Sequence, residues 1–288
     1  MERISFDSAL ETLAESDKWL TSLGIATKRD RWHTAVEMVS KAKAQREHID
    51  GGGRLEPIRN YVPALFEALE ILLVKRAFSN DGSPALRDKL SRAVGGPDSP
   101  SREGPKSSGP RKTMFELALA ADWKTAGADL ELGEPDIRVR FGGAVFAVEC
   151  KRPFSAHSVR ANIHDAASQL GILLDTPGHL SSFGAVAVSL NRVFNPETRP
   201  WLAPEGTGSQ ILTEVLNKLI DQYKYQWKWN VERLHRRIAA IMFYLAVPWD
   251  IGGERLIHLS THRFFGQSKC EQGFRILQGG VSQLYPAR

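Results

Sequence analysis

The sequence predicts an α/β protein, a mixed central sheet flanked by helices, with an all-helical segment in front of it. Three observations lead there. Apolar residues recur at helical spacing through the first ninety or so positions. A Gly142-Gly143 pair then separates two runs of alternating apolar and polar residues, the pattern of a hairpin. Around and after that hairpin, helical and strand patterns alternate, which implies a sheet covered by helices.

The chain has 288 residues, enough for one large domain or two smaller ones, and a formal charge of +5, which suits a nucleic-acid partner without demanding one. Its two cysteines, Cys150 and Cys270, exclude a disulfide framework, and neither stands in a Cys-x-x-Cys pair that would point to zinc. No apolar run approaches a membrane span, and the first residues lack a signal peptide's apolar core. A cytoplasmic protein with no membrane contact is therefore expected.

Residues 1–94 read as a helical domain. Phe6, Leu10, Leu13, Leu20 and Leu23 mark a first helix, and about Arg29 to Glu47 a second that stops before the glycines at 51–53. Pro63 suits the first turn of a third, carrying Leu65, Phe66, Leu69, Leu72 and Leu73, and Pro84 to Ala93 forms a fourth. No catalytic constellation falls here: His33 and His48 stand alone, and Lys41, Lys43 and Arg46 are as well explained by a solvated helix face as by phosphate contact. Target selection, self-association or a partner surface is the role left to this domain. Residues 95–111, rich in Gly, Pro and Ser, read as a flexible linker, because they cannot bury enough apolar area to offset ordering entropy. Residues 112–288 form the second domain. In it a helix at about 112–125 precedes a short strand at 129–132 and then the hairpin. A helix at about 158–174, a buried strand at 184–190, a long helix at about 209–235 and strands near 238–247 and 256–265 follow.

Counting outward from the Gly-Gly turn sets the hairpin register. Phe141 faces Ala144, Val139 faces Phe146, Ile137 faces Val148, and Asp136 faces Glu149. Ile137, Val139, Phe141, Phe146, Val148 and Cys150 then share one apolar face, and Asp136, Glu149 and Lys151 share the other. Two carboxylates side by side repel, and at least one pKa rises. A divalent cation reverses the sign, because Mg²⁺ seeks hard oxygen ligands at about 2.0–2.1 Å. The Lys151 ammonium, on the same side, can orient a water or offset charge on a phosphate. The rival reading is a structural hairpin with a solvated acidic pair.

Pro135-Asp136, then Glu149-Cys150-Lys151, then a helix resembles the PD-(D/E)XK nuclease superfamily over about residues 112 to 265. The resemblance implies a restriction endonuclease-like core, Asp136 and Glu149 as ligands to Mg²⁺ (with Mn²⁺ able to substitute), the Cys150 backbone carbonyl as a further ligand, and Lys151 as the catalytic cation. It also implies a glutamate on the preceding helix acting as a further metal ligand and catalytic group, for which Glu116 is the candidate and Asp122 the alternative, and a glutamine on the following helix, matched by Gln169.

Outside that motif, Arg152, His157, Arg160 and His164 cluster beyond Lys151, where they would meet a phosphate backbone or simply solvent. Asn162, Asp165 and Gln169 form a polar stripe that suits either a supporting network or substrate contact. The stretch from Tyr223 to Trp229 interleaves aromatic and basic residues and runs on to Arg236 and Arg237, a pattern shared by a base-stacking surface and by a helix whose rings seat on the sheet. These features together lead to a metal-dependent endonuclease acting on phosphodiester bonds, with DNA favoured, in a setting such as bacterial defence or restriction. A catalytically silent nuclease-fold module that binds nucleic acid or scaffolds an assembly, and an RNA-directed nuclease of the same fold, are the alternatives. Homo-oligomerisation or a partner protein would use the N-terminal helices.

Overall fold

The computed structural model describes residues 3–27, 31–48, 62–97, 100–104, 106–179, 182–202, 206–227, 231–251 and 255–284. The expected glycine stop at 51–53, and Lys228 and Trp229 of the aromatic-basic stretch, lie outside these. So do the side chains of Lys43, Arg46 and His48.

Among the described residues, the chain opens on a short strand and four helices: β1 (Arg3–Ser5), α1 (Phe6–Ser22), α2 (Arg31–His48), α3 (Val62–Phe78) and α4 (Pro84–Ala93). Pro84 opens α4, where a missing N–H costs nothing, and the Ser83 hydroxyl caps it by accepting from the Leu86 N–H. Next come α5 (Gly109–Thr125), β2 (Asp129–Leu132), β3 (Ile137–Phe141), β4 (Ala144–Lys151), α6 (Val159–Asp175) and β5 (Phe183–Ser189). The chain continues with α7 (Asn191–Phe194), β6 (Trp201–Leu202), α8 (Gly208–Trp227), β7 (Ile238–Ile251), β8 (Arg255–Gly266) and α9 (Glu271–Leu284).

The described strands join one mixed sheet in the order β1-β8-β7-β5-β4-β3-β2, with β6 against β7. Pairs β4–β5 and β5–β7 are parallel, and β2–β3, β3–β4, β7–β8 and β1–β8 are antiparallel. The hairpin register is the one the sequence predicts: Ile137 opposite Val148, Val139 opposite Phe146, Phe141 opposite Ala144. Gly142 and Gly143 turn the corner at φ 52° and 78°, the left-handed backbone a primed turn requires.

The two faces are covered separately. Ile137, Val139, Phe146, Val148 and Cys150 pack with Phe115, Leu119 and Trp123 of α5 and with Leu277 and Val281 of α9. On the other face Ala147, Val186, Val188 and Phe243 pack with Ile163 and Leu170 of α6 and Leu212 and Leu216 of α8. Each fully buried Leu, Ile or Phe contributes about 1.5–3 kcal/mol.

Four expectations need correction. The N-terminal helices do not stand apart from the sheet: Leu13, Leu20, Trp32, Leu65 and Leu69 belong to the same apolar cluster as Phe115 and Val139, and β1 extends the sheet at its β8 edge. The physical reason lies in α3, which is buried all round and so must be enclosed by other layers. Second, the described part of 95–111 is clamped, not free. Pro100–Arg102 forms a 3₁₀ turn whose Pro100 carbonyl accepts from Arg192, and Glu103 is buried against Arg152. Ionic and backbone hydrogen bonds supply there what apolar burial does not. Third, α8 ends at Trp227, and a separate 3₁₀ turn spans Val231–Arg233. Fourth, the chain does not close on its last two strands: α9 follows them and runs through Gly279-Gly280, residues that ordinarily weaken a helix. Gly280 serves close approach instead, because a Cβ there would lie 2.4 Å from the Phe141 ring. Among the described residues no helix is long and apolar enough to cross a membrane.

Candidate functional site

The candidate site lies where β4 ends and β3 begins. Asp136 is the last residue before β3, and its Oδ2 accepts the Cys150 N–H at 2.9 Å. This bond reaches across from the mouth of β3 to the end of β4 and sets Asp136 beside Glu149. In a strand the N–H and C=O of one residue leave from the same edge, so the Cys150 carbonyl projects on the Asp136 side. Glu149 and Lys151, two apart on β4, share a face, and Lys151 Nζ lies 3.8 Å from Glu149 Oε2. Both are largely buried.

Electrostatics bear the strain expected of the pair. The Glu149 carboxyl is pushed up to about 7, first by burial and then by the Asp136 carboxylate, against the pull of Lys151 and Lys112. Cys150 faces the opposite, apolar side, and burial pushes its thiol well up, which keeps it protonated and inert.

Gln169, on α6, accepts a hydrogen bond from Lys151 at 2.6 Å. Glu116, on α5, also reaches the site, but not as a free ligand. Its Oε2 holds Lys89 at 2.6 Å and its Oε1 holds Lys112 at 2.8 Å. The same two ammonium groups stand 3.5 Å and 3.6 Å from the two oxygens of Asp136. Glu116 therefore meets Asp136 through two lysines, and each of its oxygens is paired with an ammonium group. Burial lowers the Lys112 pKa, but Glu116 and Asp136 outweigh it and leave that ammonium above its ordinary range.

Behind the site runs a buried ionic chain. Arg31 and Arg111 both pair with Glu67, and Glu103 holds Arg152 at 2.6 Å and lies 4.0 Å from Arg111. Arg111 and Arg152 precede and follow Lys112 and Lys151 in sequence, so this chain anchors α5 and β4 on either side of the carboxylates. Arg152 is consequently a buried structural residue and not a phosphate contact. Arg160, His157 and His164 are exposed on or before α6. Asn162 donates to the Ser158 carbonyl one turn back.

Arg236 and Arg237 fall elsewhere. Lys151 pairs with Val188 and Val188 with Phe243. Arg237 precedes Phe243 by six residues on a strand parallel to β4, which puts it about 20 Å along the sheet at ~3.3 Å per residue. Its guanidinium binds the Leu174 and His179 carbonyls and Asp175. The two arginines sit at the opposite end of the sheet from Glu149 and Lys151, so they do not share the site.

Lys89 and Lys112 were not among the expected residues. Lys112 carried a signal, an i,i+4 spacing to Glu116 on one helix. Lys89 carried none, since only the fold brings α4 to α5.

Among the described residues no group of three or more histidine, cysteine, aspartate or glutamate side chains forms a ready metal cage. A smaller donor set is what the geometry offers: Asp136, Glu149 and the Cys150 carbonyl edge. Mg²⁺ is held through one or two carboxylates while keeping several waters, so these residues fit it. The raised Glu149 pKa marks a place where added positive charge is favourable. No protein-family model, curated protein or solved structure matches the chain.

Proposed function

We propose that the chain is a metal-dependent nuclease of the PD-(D/E)XK kind that hydrolyses phosphodiester bonds, with DNA the favoured substrate. One observation carries the reading. At the end of β4 Asp136 accepts the Cys150 N–H, one residue after Glu149, and the Lys151 ammonium lies 3.8 Å from Glu149. Asp136, Glu149 and the Cys150 carbonyl would hold Mg²⁺, or Mn²⁺ in its place. The bound ion supplies Lewis acidity, lowering the pKa of water and offsetting phosphate charge.

The chain's own residues do the rest. Gln169 holds the Lys151 ammonium in one orientation, leaving its other protons to point at an attacking water or a non-bridging phosphate oxygen. Lys112, one-third exposed, lies at the mouth and attracts the phosphodiester. Burial of Glu149 and Lys151 excludes bulk water and strengthens these interactions. The Arg111–Glu103–Arg152 chain keeps α5 and β4 from separating.

A second reading is favoured by one specific feature: Glu116 and Asp136 are already neutralised by two lysines, as suits a nuclease-fold module without catalysis. One assay separates the two. Purified protein is incubated with plasmid, single-stranded DNA and RNA, with Mg²⁺ or with EDTA, alongside Lys151→Met. Cleavage that needs Mg²⁺ and disappears in Lys151→Met supports the nuclease. Cleavage persisting in EDTA or in Lys151→Met overturns it, and silence on every substrate favours the binding module.

A further inference from the structure

Glu116 and Asp136 hold two ammonium groups between them. Lys89 spans Glu116 Oε2 and Asp136 Oδ1 at 2.6 Å and 3.5 Å, and Lys112 spans Glu116 Oε1 and Asp136 Oδ2 at 2.8 Å and 3.6 Å. The four side chains close a neutral ring in which each carboxylate oxygen faces one ammonium. Two carboxylates from adjacent elements are the donors that a second divalent ion uses in two-metal hydrolases, where the ions sit about 3.5–4 Å apart. In this chain that place already holds two positive charges on tethers. Lys89 is almost wholly buried, so withdrawing it would strand the Glu116 carboxylate with a single partner. Lys112, one-third exposed, is the most accessible of the four.

Building on the nuclease reading above, we propose that Lys89 and Lys112 take the place of a second metal ion. The chain then binds one divalent cation per molecule, at Asp136 and Glu149, and the two lysines supply beside it the positive charge that a second ion would carry. Lys89 comes from α4, so the N-terminal helices supply part of the site and are not an accessory to it.

The test is a Mn²⁺ titration of the full chain, with free Mn²⁺ read by electron paramagnetic resonance. Wild type, Lys112→Met, Lys112→Gln and Lys112→Arg are compared, each with its thermal melt as a check of folding. Wild type should bind one Mn²⁺. Lys112→Met and Lys112→Gln remove a unit charge a few ångströms from the ion, so both should bind about tenfold tighter or more. Lys112→Arg keeps the charge and should stay within about twofold of wild type. Two Mn²⁺ per wild-type chain, or neutral variants that bind no tighter, would overturn the proposal. No Mn²⁺ on wild type or the neutral variants is a different result, and it would remove the metal reading on which the proposal rests.

Discussion

Gln169 accepts a hydrogen bond from the Lys151 ammonium at 2.6 Å, joining the middle of α6 to the last residue of β4. The bond fixes the direction of the one lysine that shares a face with Glu149. It also makes Gln169 a positioning residue whose effect can be separated from metal binding.

Gln169→Leu leaves Lys151 with Glu149 alone. A hydrogen bond to a charged group is worth about 1.5–3 kcal/mol, so the cleavage rate should fall by at least about tenfold. Mn²⁺ affinity should stay within about twofold, because Gln169 touches neither carboxylate. Steady-state cleavage and a Mn²⁺ titration on the same preparation measure both. A matching fall in Mn²⁺ affinity would mean that Gln169 acts on the carboxylates instead.

Stability should depend on pH through Glu149. Its carboxyl sits at about 7 in the folded chain against an ordinary 4.5. Between those values the unfolded chain has released its proton and the folded chain has kept it, so stability falls as pH rises through that window. Glu70, pushed up to about 7 by burial and then by Glu67, acts in the same sense. The stability of Glu149→Gln relative to wild type should therefore increase from pH 4.5 to 7 and level off above. Urea unfolding at several pH values measures it, and a difference that does not change with pH would contradict the assignment.

Breaking the lysine ring should be costly. Lys89→Met leaves Glu116 with one ammonium instead of two, and removing a partner from a buried pair costs about 3–5 kcal/mol. Adding Glu116→Leu removes the stranded carboxylate and lets Lys112 turn to solvent. The double variant should thus be no less stable than Lys89→Met alone, as measured by urea unfolding. Additive losses would mean that the two residues do not act as a pair.

Gly280→Ala tests the packing of α9 on the hairpin. Helix propensity alone favours alanine by about 1 kcal/mol. The added Cβ would sit 2.4 Å from the Phe141 ring carbon and 2.7 Å from its Cβ, near the root of a side chain with little room to move. Overpacking costs about 1–3 kcal/mol, so the melting temperature should fall. A rise would show that α9 stands off from Phe141.

The hairpin was legible because its information is local. Two glycines define the turn, the turn defines the register from Ile137–Val148 to Phe141–Ala144, and the period of two puts Glu149 and Lys151 on one face of β4. Gln169 was reachable by the resemblance alone, since nothing in its own helix points to Lys151. What stayed hidden was long-range. Lys89 lies 27 residues from Glu116, and no periodicity connects them. Glu103 lies 49 residues from Arg152, inside a stretch whose composition reads as linker. Arg236 and Arg237 looked like part of a binding surface until the parallel strands put them at the other end of the sheet. The helical segment looked separable because each helix is regular by itself, and only the all-round burial of α3 marks it as interior.

A shared ion site, with Asp136 and Glu149 holding one divalent cation beside Lys151, is what the proposed nuclease requires. Its most direct test is the titration of the Glu149 carboxyl by ¹³C nuclear magnetic resonance, with and without Mg²⁺, assigned by comparison with Glu149→Gln. Without the ion the carboxyl should titrate near 7, and saturating Mg²⁺ should lower that by at least about one unit, with the drop lost in Asp136→Asn. A Glu149 titration that Mg²⁺ leaves unmoved would mean that Glu149 does not hold the ion.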